Sequence, residues 1–128
     1  MVLPLVRGLY LASRVDVDPA SRNLTLVNCF RGLRVDHLPG TAAPFFVVAY
    51  LANGVGAFPF VVSVERMDTL AEVYRSNARL TFPNRLEEVR FKLKIENCLF
   101  STEGEYCVTL WLGGELLAQT PFRVRLAQ

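Results

Sequence analysis

Val89-Arg90-Phe91-Lys92-Leu93-Lys94-Ile95 alternates apolar and charged residues without a break. A chain of period two offers one face to a core and the other to water, which is the pattern of a half-buried β-strand. Working outward, Glu105-Tyr106-Cys107-Val108-Thr109-Leu110-Trp111-Leu112 is a second strand-like run. Gly113-Gly114 turns the chain, and Phe122-Arg123-Val124-Arg125-Leu126 alternates again. These three runs predict a closing three-strand unit of an antiparallel β-protein.

The same reading extends towards the N terminus. Leu9 to Val17 is a strand, and Asp18-Pro19-Ala20-Ser21-Arg22-Asn23 a turn, since Asp bonds its own backbone and Pro presets φ. Leu24 to Val35 is a second strand, bent near Gly32, followed by a Pro39-Gly40 loop. Phe45 to Leu51 is apolar on both faces, as in a strand covered on both sides or meeting a partner. Asn53-Gly54-Val55-Gly56 turns into a strand from Phe58 to Glu65. Asp68-Thr69 could cap a short helix, but Val73, Tyr74, Thr81 and Phe82 favour a strand over 72–82, with Met67–Leu70 as its hairpin. The count is about eight strands at the spacing of a sandwich or barrel. The expected fold is an all-β, two-sheet antiparallel β-sandwich, immunoglobulin-like or jelly-roll-like, with residues 1–128 as one domain.

Composition narrows function by exclusion. A hydrophobic content of 52% argues against disorder. A net charge of +2 with interspersed signs gives no general attraction for nucleic acid or an anionic membrane. The longest apolar run, 42–52, is too short to span a bilayer and contains Pro44, and Pro4 and Gly8 interrupt any signal-peptide block. Cys29, Cys98 and Cys107 are odd in number, irregularly spaced and without a C-x-x-C pair, which fits inert thiols in a reducing compartment. A cytoplasmic protein is expected.

No chemical motif survives weighing. His37 is the lone histidine, and with Asp36, Asp16 or Asp18 it lacks a placed nucleophile and oxyanion donors. Asp16-x-Asp18 is followed by too few oxygen ligands for a calcium loop. Gly54-x-Gly56 has Pro59 where a phosphate-binding turn needs a third glycine. Cys98 and Cys107 lack an activating base, and Trp111 follows both, unlike the order in antibody domains. Arg90-x-Lys92-x-Lys94 and Arg123-x-Arg125 could form a basic stripe for RNA or an acidic partner if they share a sheet. Glu87, Glu88 and Glu96 dilute the first cluster, leaving a solvated face that protects an edge. Glu103-Gly104-Glu105-Tyr106 suggests a tyrosine corner. No catalytic, cofactor-binding or metal-binding residue is assigned, and no enzyme activity or cofactor is expected.

Val15-Asp16-Val17-Asp18, the polar turn, Leu24 to Phe30 and the loop ending at Pro39 make a characteristic opening. Gly104-Glu105-Tyr106 and Pro121-Phe122-Arg123-Val124 close it. This order resembles an uncharacterised bacterial family of small β-sandwich proteins, a domain of unknown function. The resemblance implies a sandwich and carries over no active-site residues. The expected role is a non-catalytic module for protein–protein interaction or self-association as a homodimer, using a face such as that of Phe45–Leu51. The alternative is a small-ligand or carbohydrate-binding sandwich with Trp111, Tyr50 or Tyr74 as platform.

Overall fold

The structure is a computed structural model and describes residues 2–127. Eleven strands replace the expected eight: β1 (Leu5–Val17), β2 (Leu24–Cys29), β3 (Gly32–Val35), β4 (Gly40–Thr41), β5 (Phe45–Ala52), β6 (Gly56–Arg66), β7 (Glu72–Phe82), β8 (Val89–Ile95), β9 (Leu99–Phe100), β10 (Gly104–Leu112) and β11 (Glu115–Leu126). They form a four-stranded sheet in the order β2-β1-β5-β8, a five-stranded sheet in the order β3-β11-β10-β6-β7, and the small pair β4-β9. The segment 72–82 is the strand favoured by its β-branched and aromatic residues, not a helix.

The additional strands have local causes. The predicted run Leu24–Val35 breaks because Asn28 adopts a positive φ of 55°. Phe30 then sets its ring edge-on against Phe45 at 5.6 Å, and the chain passes from one sheet to the other. On arrival β3 runs parallel to β11, pairing Gly32 to Val35 with Arg123 to Leu126. The sandwich is therefore not wholly antiparallel. β4 and β9 are only two residues each, below the length at which alternation can be read. Gly40, which starts β4, is required because a Cβ there would collide with the His37 carbonyl oxygen.

The closing three-strand unit is corrected. β10 and β11 form a hairpin through Gly113-Gly114, whose φ values of 57° and 83° suit the primed turn that matches strand twist. β8 instead pairs with β5 in the opposite sheet. Its inward residues meet that hairpin's sheet across the core: Phe91 packs edge-to-face on Phe60 of β6 at 4.5 Å.

The core holds the layers together through aromatic contacts. Phe122 lies 6.1 Å from Phe45, 6.0 Å from Phe100 and 5.9 Å from Tyr106, so one ring of β11 touches the facing sheet, the small β4-β9 pair and its own neighbour. All four rings are almost wholly excluded from water. Each such burial stabilises the fold by about 1.5–3 kcal/mol.

The topology is the immunoglobulin-like alternative. β5, β6, β7, β8, β10 and β11 take the places of strands B, C, C′, E, F and G. The Tyr106 hydroxyl donates to the Thr102 carbonyl at 2.8 Å, four residues upstream, which is the expected tyrosine corner. Two residues further on, where antibody domains carry a cysteine, stands the fully buried Val108. All three cysteines are free.

Candidate functional site: an arginine groove

Most sequence candidates have structural duties. Asp16 is ion-paired with Arg14 at 2.9 Å. The Asp18 carboxylate accepts the Ala20 amide at 2.9 Å, and this bond, with help from Ser21, holds its carboxyl below the usual range. The two aspartates thus face separate partners and form no cation loop. Among the described residues no group of three or more His, Cys, Asp or Glu could hold a metal. His37 and Asp36 are exposed on their loop. Gly54 packs against Phe82 and Pro4, and Val55 bridges to Val2, so this segment is a packed turn. Among the described residues no helix is long and apolar enough to cross a membrane.

The thiols divide. Cys98 and Cys107 are buried, as expected, but Cys29 is exposed on the edge strand β2. Burial pushes the Cys98 thiol up to about 12 and also raises that of Cys107. A thiolate is the reactive form. Native protein at pH 8 is expected to react rapidly with a thiol reagent at Cys29 alone, with the other two labelled only on unfolding; rapid labelling of two or three thiols would contradict the packing. Because the Cys98 pKa is raised on folding, the unfolded thiol ionises first. Its contribution to stability is intact at neutral pH and lost as pH rises towards about 12.

Two apolar-face hypotheses change shape. On β5, Phe45, Val47, Ala49 and Leu51 enter the core. The outward Val48 is nevertheless fully buried, flanked in register by Tyr10 and Lys92. Long stems and an aromatic ring cover this face, so β5 offers no free apolar patch. Trp111 is half-buried beside a cleft of about 270 Å³ lined by Pro59, Val61, Arg75 and Gly114. Its Nε1 donates to Ser63 Oγ at 3.3 Å, Ser63 donates to Glu65 at 2.5 Å, and Thr109 donates to the other Glu65 oxygen at 2.8 Å. Tyr50 lies on the other sheet, edge-on to Tyr10, and Tyr74 packs against the core. The three platforms do not converge.

The basic residues do converge, though not as one stripe. Arg90, Lys92 and Lys94 belong to β8, whereas Arg123 and Arg125 belong to β11 in the other sheet. The parallel pairing of β3 with β11 brings Arg34 directly opposite Arg125. Arg31, Arg34, Arg123 and Arg125 then line two adjoining shallow depressions of about 550 and 570 Å³, together with Glu103 and Glu105. Arg123 is held by Glu105 at 2.5 Å. Glu103 is occupied in accepting the Leu126 amide at 2.9 Å. Among the described residues Arg31, Arg34 and Arg125 have no ion-pair partner. Pro121 adds apolar surface to the lining. The result is a shallow, positively charged groove whose planar donors match carboxylates in bidentate fashion. Sequence reading found Arg123-x-Arg125 but not Arg31 and Arg34, because nothing local announces a pairing across some ninety residues.

Residues 8–125 match a family of unknown function (DUF6941). No curated protein matches the chain. Among solved structures, the chain is similar to part of the Pseudomonas fluorescens alkylpurine DNA glycosylase AlkC bound to DNA containing an abasic site analogue. That likeness has a TM-score of 0.56 and 9% identity, and covers 98% of this chain and 31% of the glycosylase chain. The chain is also similar to an immunoglobulin-like protein from Pseudomonas aeruginosa, with a TM-score of 0.45 and 12% identity over 95% of this chain and 96% of that one. At 9% identity the glycosylase likeness speaks to fold alone.

Proposed function

The chain belongs to that family of unknown function, and we propose that it is a non-catalytic interaction module whose arginine groove captures an acidic segment of a protein partner. The observation that carries this reading is the juxtaposition of Arg34 and Arg125, two like charges opposite one another without a counter-ion. Like charges in that position disfavour the sheet, so an arriving carboxylate relieves a repulsion as well as making hydrogen bonds. A peptide fits better than a nucleic acid. The groove's aromatic residue, Phe122, is buried and offers no base a stacking surface.

The test is a fluorescence-anisotropy titration with a labelled peptide rich in Glu and Asp, set against duplex and single-stranded DNA of similar charge. The acidic peptide is expected to bind, and to weaken several-fold between low salt and about 0.5 M salt, where screening is short-ranged. Preference for DNA would replace this reading with a nucleic-acid one, and binding of neither would overturn both.

A further inference from the structure

We infer that the acidic segment is carried by a second copy of this chain: the loop Asn84-Arg85-Leu86-Glu87-Glu88 between β7 and β8. This deepens the preceding proposal and rests on it. Leu86 is 97% exposed, the most exposed large hydrophobic side chain among the described residues. It is not on a shapeless tether. The Asn84 side-chain oxygen accepts the Leu86 amide at 2.8 Å and the Glu87 amide at 3.1 Å, fixing the turn that presents the leucine. Glu87 and Glu88, beside it, are exposed and have no ion-pair partner among the described residues. An apolar tip followed by two free carboxylates complements a groove with free arginines beside the exposed Pro121. Arg85 is the one cation in the loop and lies on the other side of Leu86 from the glutamates.

Position excludes closure within one chain. Gly104 and Tyr106 of β10, next to the groove, pair with Val124 of β11 and Arg66 of β6 respectively. The loop leaves β7 after Phe82, which pairs with Gly56 at the far end of β6. The ten residues from Gly56 to Arg66 separate the two sites by roughly 30 Å along the strands. Loop and groove therefore meet only between copies. Each copy carries one loop and one groove, so the contact closes a two-fold dimer when made reciprocally and runs head-to-tail when made in one direction only.

The experiment compares three samples by light scattering over a dilution series at low salt: wild type, R34E/R125E and E87R/E88R, with thermal melts confirming that each is folded. Wild type is expected to associate in proportion to concentration and to dissociate at about 0.5 M salt. Each charge-reversed variant alone is expected to lose at least about tenfold in association. Mixing the two restores it, because the unaltered loop of the first meets the unaltered groove of the second. A Leu86→Ser variant weakens association with all charges in place. Two results separate the inference from the reading beneath it. If wild type binds the acidic peptide yet stays monomeric, or associates equally well with E87R/E88R, the second-copy assignment falls and the groove stands. If R34E/R125E binds the acidic peptide as wild type does, the groove reading falls and takes this inference with it.

Discussion

Phe122→Ala is expected to lower the unfolding free energy by about 3–5 kcal/mol, the range for a large aromatic removed from a packed core. The ring joins Phe45, Phe100 and Tyr106. Each belongs to a different strand, so no single neighbour can shift to fill the void without disturbing the other two. For a domain of this length such a loss moves the melting midpoint down by roughly 10–20 °C. Typical domains hold only about 5–15 kcal/mol in reserve, so the variant sits near the limit of a folded protein. Denaturant titration with an unchanged slope checks the value, and a loss below about 1 kcal/mol would show that the three rings do not depend on the fourth.

The second large effect has opposite signs in two assays. R34E removes the repulsion across the β3–β11 pair and places a carboxylate opposite Arg125. Stability is expected to rise by about 0.5–1 kcal/mol, in line with exchanging a like for an unlike cross-strand pair. Affinity for the acidic peptide is expected to fall at least about tenfold, since a repulsive group replaces an attractive one. Arg90→Glu, on the other sheet, changes the same formal charge without touching the groove and serves as the control for net charge. A stabilised variant with undiminished peptide binding would show that Arg34 is an unfavourable surface choice without a binding role.

The sandwich was legible in the chain wherever strands have one wet face. Val89–Ile95 alternates because β8 is half-covered, and the tyrosine corner was legible because Gly104 and Tyr106 mark a fixed local geometry. Sheet membership was not legible, since alternation states that a strand has two faces and not which strand lies beside it. That is why β8 was expected beside β10 and β11 and lies instead beside β5. The break at Asn28 escaped for a different reason. An Asn in the left-handed region is tolerated locally, and what draws the chain across is Phe30 finding Phe45. The groove depends on both of these: Arg31 and Arg34 reach Arg123 and Arg125 only because the chain changes sheets. Half of the site was thus visible as charge and none of it as geometry.

The parallel β3–β11 pair also dictates an order of assembly. β1 and β2 can close as a hairpin as soon as residues 5–29 exist, and β6 and β7 likewise through their short turn. β3 has no such local partner. Its ladder is with Arg123–Leu126, so it waits until those residues, some ninety positions later, have been synthesised. Contacts of that sequence separation slow folding, because a long loop must be closed before any stabilisation is gained. During that interval Leu33 and Val35, which end up against the core, remain uncovered on an unpaired strand. β11 therefore acts as the latch of the sandwich, and the segment most exposed to misassembly is the one that later supplies half of the groove.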